Sequence, residues 1–482
     1  MTDVAGIGNP ANPNTVDATR PEAPDSESGD GRPAGEMDRL AWFGALWAAA
    51  VLIHQGSYGD WSTDPLDLAL TAAAALVVVQ PRRLSALIAL LILVVADVAF
   101  ELPWISNHWL FAAFVSATLL AAIVRPGRFG TGAHDREAAF EAFAPWARLQ
   151  LLVLYAAAVV HKLNSDFLDP EKSCAFVQSS ALFEMLGFPA SSVGVVLTAI
   201  YGTLAVEIAI PILLIFRRTR WLGIALGIVF HGALGLNTLV APFYNFSSLL
   251  FASYALFLPD DYPAVLRKNL PAAMRRSVAL IFGVTMLSAA ALGVVSGAAW
   301  PVDSAVVRGL WALYCCALLA FLAVASGRGK SGSGGPLLGR YPALAVFPAL
   351  LLFDASSPYL GLKTETSFAM FSNLRTEGDL GNHLLLRRVP QLAGYQQPLV
   401  EVLESSDPGL QRVAESPMRF VFFEFRAYTS QHPNNSVSYR HGDRTHRVER
   451  IADDPVLSRP HPTWQRKLLH FRLVDTGGRC RH

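Results

Sequence analysis

The chain has 482 residues, of which 52% are hydrophobic and only 16% charged, and its mean hydropathy is +0.35. Because soluble proteins carry about 25% charged residues, this composition indicates a membrane protein. The formal net charge of +1 predicts no extended basic surface, so we expect no nucleic-acid partner. Four cysteines without a CxxC spacing predict neither a disulfide scaffold nor a metal site.

Residues 1–38 are rich in Pro, Gly, Asp and Glu and contain almost no large apolar side chains. Such a stretch cannot bury enough surface to offset its ordering entropy, so we predict a disordered N-terminal tail. It lacks the basic start and short apolar core of a cleaved signal peptide. The first apolar helix is therefore expected to act as the membrane signal and to stay in the protein.

Ten apolar segments approach the roughly 20 residues that a spanning helix needs. They lie near residues 39–55, 65–80, 84–102, 106–124, 145–163, 191–216, 221–240, 244–258, 276–299 and 303–326. A weaker segment at 341–355 is short for a full span, and 174–189 fits a re-entrant or interfacial helix. The pattern predicts an all-α polytopic bundle of about 10–11 helices in contact with the lipid bilayer.

Basic residues are concentrated in alternate loops, which sets the expected orientation. The loops rich in Lys and Arg are 81–83, 125–148, 217–220, 267–276 and 328–340, whereas 56–64, 103–105, 241–243 and 300–303 contain none. This distribution predicts a multi-pass protein of the cell membrane with a cytoplasmic N-terminus. One loop is an exception, because it places Lys162 and Lys172 on the outer side.

The last stretch, residues 357–482, has the composition of a soluble protein. The segment "RFVFFEFRAY" (419–428) is aromatic and β-branched, so it predicts a strand, and "SVSYRHG" and "THRVERI" predict two more. We therefore expect a small, mostly β C-terminal module outside the cytoplasm. Cys174 and Cys480 would both lie on that side, so we expect that they can pair.

Ionisable and amide side chains inside spanning segments are rare and usually face a cavity or a partner. Under the expected orientation, the outer half of the membrane contains His54, Asp97, Glu101, Asn107, His108, His161, Lys162, His231, Asn237 and Asn245. Only Glu207 is expected nearer the middle or the inner side. This one-sided cluster favours a pocket that opens outward or sideways to lipid, because transporters more often bind near the midplane.

Each of these residues also has a simpler explanation. His54 is best explained by snorkelling at the interface, and Lys162 by a helix end whose amine reaches water. Asp97 and Glu101 could pair with Lys162 or with arginines, and His231 could be a satisfied core histidine.

The chemical alternative for Lys162 is general base catalysis. A free lysine amine has a pKa of about 10.4, and desolvation lowers the pKa of a buried amine. A protonated His161 would also lower the pKa of the amine, whereas a carboxylate such as Asp97 would raise it. An amine held in this way can accept a proton near neutral pH.

The segment "LQLLVLYAAAVVHKLNSDFLD" resembles the region around the catalytic lysine of vitamin K-dependent gamma-carboxylase and of its bacterial relatives, the HTTM-domain membrane proteins. Lys162 falls at the position of that lysine, and Asn107 and His108 match an Asn-His pair of the carboxylase. The stretches "VFHGALGLN" and "NFSSLLFASYALFLPDDYP" are also similar to the family. The family also has an acidic residue one helix before the stretch that corresponds to "VFHGALGLN", and Glu207, in "LAVEIAIPILLIFRR", matches it. The resemblance covers roughly residues 39–270 and thins beyond them.

The resemblance implies an enzyme that oxygenates a reduced naphthoquinone (vitamin K hydroquinone or menaquinol) and carboxylates glutamate. Lys162 would deprotonate the quinol, His108 would assist the addition of carbon dioxide, and dioxygen would be a co-substrate. A supporting polar cluster would contain Asn107, His161, His231, Asn237, Asn245, Asp97 and Glu101. The quinol would enter from the lipid, and the expected partner is a protein or peptide that carries glutamate. On this view the chain divides into a tail (1–38), a transmembrane HTTM-like domain (39–356) and a soluble module (357–482).

Three features depart from the family pattern. Phe167 stands where relatives often have tryptophan, His161 stands where the carboxylase has a second lysine, and the C-terminal region is much smaller than in the animal enzyme. Two alternatives therefore stay open, a membrane transporter and a non-catalytic membrane scaffold of the same family.

Overall fold

The structure is a computed structural model that describes residues 37–125, 133–237, 243–269, 271, 305–326, 334–386 and 389–480. The tail expected over residues 1–38 lies outside the described residues except for Met37 and Asp38. The span expected near 276–299 also lies outside them.

The described part of the chain before residue 356 is helical. Its helices are α1 (Arg39–Tyr58), α2 (Pro65–Val79), α3 (Leu84–Glu101), α4 (Asn107–Val124), α5 (Ala133–Lys162), α6 (Cys174–Met185), α7 (Val193–Ile215), α8 (Arg220–Leu234), α9 (Tyr244–Tyr254), α10 (Tyr262–Asn269), α11 (Ala305–Ser326) and α12 (Val346–Ala355).

Six of the described helices are long and apolar enough to cross a membrane, judged by length and composition. They are α1, α3, α4, most of α5, α7 and most of α11. The expected helical bundle is confirmed, but six such helices are fewer than the 10–11 spans predicted from hydropathy. Helices α2 and α8 have 15 residues each, so at 1.5 Å per residue they are shorter than the roughly 30 Å hydrocarbon core.

Local sequence explains where several helices begin. Asp38 caps α1 through its carboxylate, which accepts a hydrogen bond of 2.7 Å from the backbone N–H of Ala41. Asp64 caps α2 in the same way, and Pro65 follows at the first helical position, where its missing N–H costs nothing.

Helix α5 lies at the centre of the bundle. It packs against α4, α7 and α12, and also contacts α1 and α9. Lys162 is the last residue of α5, so the packing of these neighbours encloses its side chain, which is buried. A lysine that sequence alone could place at an exposed helix end is thus inside the protein.

The C-terminal part contains a five-stranded antiparallel sheet with the order β4-β3-β1-β2-β5. The strands are β1 (Leu399–Ser405), β2 (Met418–Val421), β3 (Val437–His441), β4 (Arg444–Val448) and β5 (Val474–Asp475), and the helices between them are α13 (Pro408–Ala414), α14 (Phe422–Thr429) and α15 (Thr463–Leu468). The two strands expected from "SVSYRHG" and "THRVERI" are confirmed as β3 and β4.

The strand predicted over residues 419–428 is largely wrong. Only Met418–Val421 is a strand, and the chain continues as helix α14. Phe425 packs with Phe420 and Tyr439 in one core, whereas Phe423 packs with Phe471 in another. Because both faces of this segment are buried, its apolar pattern does not distinguish a strand from a helix.

A disulfide joins Cys174, the first residue of α6, to Cys480 near the end of the chain. The structure therefore forms the expected pair. The same C-terminal part also contacts α3, since the amine of Lys467 donates to the backbone oxygen of Ala99 at 2.6 Å.

Candidate functional site

A cavity of about 140 Å³ lies among the ends of α1, α4, α5, α8 and α9 and the side of α7. Its polar lining includes His108, Tyr155, Lys162, Glu207, His231 and Asn245. Its apolar lining includes Leu154, Phe243, Phe246, Leu250, Phe368 and Phe371. Five residues of the expected polar cluster, Asn107, His108, Lys162, His231 and Asn245, line this one cavity.

Lys162 forms an ion pair with Glu207. The Lys162 Nζ atom donates to both carboxylate oxygens, at 2.9 and 2.8 Å, and the two side chains are only 7% and 9% exposed. Helix α5 packs on α7, which brings the two residues together across 45 positions of sequence. The Phe167 ring centroid lies 6.0 Å from Nζ on another side.

Glu207, which was expected nearer the middle or inner side of the membrane, contacts Lys162 directly. One alternative considered for the partner of Lys162 is wrong. Asp97 was considered as the carboxylate beside Lys162, but its Oδ2 accepts a hydrogen bond of 2.6 Å from the indole N–H of Trp109. The counter-ion of the candidate base therefore comes from α7 and not from α3.

The Lys162–Glu207 pair has no net charge in either of two protonation arrangements. The proton between them can reside on Nζ, giving an ion pair, or on the carboxylate, giving two neutral groups. An isolated charge in an apolar region is costly. A buried pair of this kind can exchange a proton with a third group without leaving such a charge. The geometry thus suits proton transfer at Nζ or at the carboxylate.

Tyr155 extends the polar lining along α5. It lies seven residues before Lys162, hence about two helical turns away on the same face. Its hydroxyl oxygen is 2.8 Å from Nε2 of His231 and 2.5 Å from the hydroxyl oxygen of Tyr254. Sequence reasoning missed Tyr155, although its spacing from Lys162 is a signal that could have identified it.

His108 is held by two polar groups. Its Nε2 atom lies 3.1 Å from Nδ1 of His54 and 3.2 Å from the hydroxyl oxygen of Ser106. His54 is buried, so the expectation that it snorkels to the interface is wrong. The structure instead brings together two imidazoles, from α1 and α4, beside the cavity.

Asn107 and His161 bind backbone groups of a segment that covers the cavity. The Asn107 Oδ1 atom accepts a hydrogen bond of 2.7 Å from the N–H of Phe368. Both ring nitrogens of His161 lie 3.0 Å from backbone oxygens, those of Phe368 and Ala355. His161 therefore supports the cavity wall without lining the cavity.

Residues 366–373 form this part of the cavity wall and are called the covering segment. Four of its non-glycine residues have left-handed backbone angles, with φ between 50° and 62°: Thr366, Phe368, Phe371 and Asn373. Such conformations cost about 1–3 kcal/mol each and persist only where the surroundings hold them in place. Phe368 and Phe371, which line the cavity, were not identified from the sequence.

Asn164 is a second anchor of the covering segment. Its side-chain N–H₂ group donates to the backbone oxygen of Ser372 at 2.6 Å and to that of His161 at 2.8 Å. Its Oδ1 atom accepts from the backbone N–H of Phe167 at 2.8 Å. Sequence reasoning missed Asn164, although it lies only two residues after Lys162.

The remaining members of the expected cluster do not line the cavity. Glu101 is exposed at the end of α3, and Asp97 is bound to Trp109. The Asn237 side chain donates to the backbone oxygen of Gln178, which itself lines the cavity. Within the residues that the structure describes, no group of three His, Cys, Asp or Glu side chains could hold a metal ion.

Comparison with known proteins identifies one domain. No curated protein and no solved structure matches the chain. Residues 134–262 match the family model described as the HTTM domain, a region that runs from the start of α5 to the start of α10. The helices that supply Lys162, Glu207, His231 and Asn245 to the cavity therefore lie within the region that matches the HTTM domain.

Proposed function

We propose that the protein is a multi-pass membrane enzyme similar to vitamin K-dependent gamma-carboxylase. It would oxygenate a reduced naphthoquinone in the cavity and couple this reaction to the carboxylation of glutamate. The observation that carries the proposal is the buried Lys162–Glu207 pair, which lies at the wall of an otherwise largely apolar cavity. The resemblance around Lys162 and the HTTM domain over residues 134–262 support it.

The residues present fit a flat, apolar ring that carries a hydroxyl group. Aromatic side chains of Phe243, Phe246 and Phe371 line the cavity and offer apolar faces, while Lys162 and His108 offer polar atoms. The cavity volume is about ten times the roughly 10–15 Å³ that one water molecule requires, so a small ring system is accommodated.

Each polar residue then has a defined task. A reduced naphthoquinone (vitamin K hydroquinone or menaquinol) would supply an acidic hydroxyl and the electrons, and dioxygen would be the oxidant. Lys162 and Glu207 accept the hydroxyl proton as a pair. His108 assists the addition of carbon dioxide, and the apolar wall and the covering segment exclude bulk water from the reacting groups.

The proposed location follows from charge and from the disulfide. The arginines at 82–83, 125 and 217–218 lie at the helix ends opposite the cavity, and basic ends favour the cytoplasm. Disulfides form in oxidising compartments, so Cys174–Cys480 favours an extracytoplasmic C-terminal part. A protein or peptide substrate that carries glutamate would thus approach from outside.

Replacement of Lys162 by arginine tests the base. Arg keeps a positive charge for Glu207 but does not lose its proton in proteins, so pairing is retained and residue 162 can no longer accept a proton. We expect epoxide formation from a reduced naphthoquinone and dioxygen to fall about 10²–10⁴-fold in Lys162→Arg and in Lys162→Ala. The measurement is epoxide formed by purified protein in lipid.

The matched control is Lys172→Ala. Lys172 lies in the same loop region, is one-third exposed, and has its Nζ atom 3.6 Å from carboxylate oxygens of Asp166 and Asp169. Its replacement by alanine should leave the rate of epoxide formation unchanged. Normal epoxide formation by Lys162→Arg, or wild-type inactivity with several naphthoquinols, would contradict the proposal. A non-catalytic scaffold predicts no turnover at all in any variant.

A further inference from the structure

The ring of His54 lies between two aromatic rings that are nearly parallel to it. The Trp109 ring centroid is 3.8 Å away with an interplanar angle of 14°, and the Tyr58 ring centroid is 5.0 Å away at 19°. The aromatic π faces attract positive charge. The indole N–H of Trp109 in turn donates to the Asp97 carboxylate at 2.6 Å.

One ring nitrogen of His108 has hydrogen-bond partners within the described residues, and the other has none. Its Nε2 atom is contacted by both His54 and Ser106. In the described part of the chain, no hydrogen-bond partner contacts its Nδ1 atom. Because His108 lines the cavity, Nδ1 is the ring nitrogen that remains for a cavity ligand.

We propose that His54 is a positioning residue that fixes the tautomer of His108 and receives its proton during turnover. This inference rests on the proposed function, because it takes His108 as the imidazole that acts on the ligand. It assigns a role to a histidine for which the sequence suggested only snorkelling, and it explains why two aromatic rings stack on that histidine.

The proton step conserves atoms and charge. The second hydroxyl of the quinol, which Lys162 and Glu207 do not deprotonate, gives its proton to Nδ1 of His108, and the Nε2–H bond of His108 breaks as its proton bonds to Nδ1 of His54. His108 ends neutral, the positive charge lies on the His54 ring, and the ligand keeps the negative charge. The reverse transfer restores both rings when the ligand takes up a proton and leaves.

Burial disfavours a positive charge on the His54 ring, and its aromatic neighbours offset part of that cost. The faces of Trp109 and Tyr58 attract an imidazolium. The Asp97 carboxylate bound to the indole N–H adds a negative charge behind Trp109. His108 is thereby spared a full positive charge beside the cavity.

Two substitutions separate the two parts of this role. In His54→Asn, the amide occupies the place of Nδ1, so it can still hydrogen-bond Nε2 of His108 but cannot hold a second proton. In His54→Phe, the ring can still stack on Trp109 and Tyr58, but it can neither hydrogen-bond Nε2 of His108 nor hold a proton. Ser57→Ala, on the same turn of α1, is the matched control; its hydroxyl bonds only the Ile53 backbone oxygen among the described residues.

The first readout does not depend on turnover. We expect ¹⁵N NMR of histidine-labelled full-length protein in lipid to show one His108 tautomer in the wild type, in Ser57→Ala and in His54→Asn. His54→Phe should show a mixture of tautomers. An unchanged His108 spectrum in His54→Phe overturns the positioning role, whether or not the protein oxygenates naphthoquinols.

The second readout is kinetic and uses a reduced naphthoquinone as the probe. His54→Asn should keep the KM and lower the kcat about 10–100-fold, the range seen when the outer hydrogen-bonding partner of a metal-binding imidazole is lost. A wild-type kcat in His54→Asn overturns the proton-receiving role. A raised KM with unchanged kcat in that variant also overturns it.

Discussion

The pairing of Lys162 with Glu207 changes what the candidate base requires. An isolated buried amine would have to lose its charge to be tolerated, whereas a paired amine can stay protonated and pass its proton to Glu207 when it accepts one from a ligand. Both residues are nearly fully buried, so the pair is shielded from water and from salt. The proposed chemistry therefore depends on a residue of α7 as much as on the last residue of α5.

Loss of Glu207 alone should destabilise the protein. In Glu207→Gln the ammonium of Lys162 stays buried without a counter-ion, and breaking one side of a buried pair costs about 3–5 kcal/mol. We expect thermal unfolding of purified Glu207→Gln at a clearly lower temperature than the wild type.

The matched variant is the double substitution Lys162→Met with Glu207→Gln. Removal of both charges should restore most of the stability without restoring epoxide formation. Equal unfolding temperatures of the single variant and the wild type would show that the pair contributes nothing to folding.

The covering segment shows how one short stretch depends on several helices. Its left-handed residues are held by Asn107 of α4, by His161 of α5 and by Asn164, which follows α5. The polar side chains at the ends of α4 and α5 thus serve two purposes. His108 and Lys162 line the cavity, whereas their sequence neighbours fix its cover.

Asn164→Ala should loosen the covering segment. The substitution removes the hydrogen bonds to Ser372, His161 and Phe167, and each buried group left unsatisfied costs about 1–3 kcal/mol. We expect faster amide hydrogen exchange across residues 366–373, measured by mass spectrometry.

Ser165→Ala is the control for this change, because Ser165 is exposed and its backbone bond to Asn382 is unaffected by the side chain. Equal exchange rates in Asn164→Ala and the wild type would contradict the anchoring role of Asn164.

The molecule as a whole has two chemically different ends. The cavity, the covering segment and the Cys174–Cys480 disulfide lie at one end of the bundle, and the arginine-rich connections lie at the other. This arrangement is the basis of the proposed orientation, in which a lipid-soluble ligand reaches the cavity from the bilayer and a glutamate-bearing partner reaches it from outside.

Cysteine labelling tests that orientation. In a background with Cys315→Ser and Cys316→Ser, the exposed position Ser165→Cys should react with a membrane-impermeant maleimide on intact cells. Gln80→Cys, exposed at the opposite end of the bundle, should react only after permeabilisation. Labelling of position 165 only after permeabilisation would invert the proposed topology.

Local sequence patterns were sufficient for the helical class, for strands β3 and β4 and for several cavity residues. Apolar runs of about 20 residues predict spanning helices wherever they occur, and alternation predicts strands β3 and β4. Lys162 was identifiable because polar groups inside apolar runs are costly and therefore conspicuous, whereas His108 was singled out by the resemblance to the carboxylase family. None of these inferences required knowledge of which helices pack together.

Tertiary packing decided the partners. Glu207 meets Lys162 across 45 residues, His54 meets His108 across 54, and Asn107 meets Phe368 across 261. It also decided that α14 is a helix, since its side chains pack into two separate cores. The reason is that periodicity reports only which side of an element is apolar, whereas an ion pair or a hydrogen bond depends on the relative position and rotation of two elements that are distant in sequence.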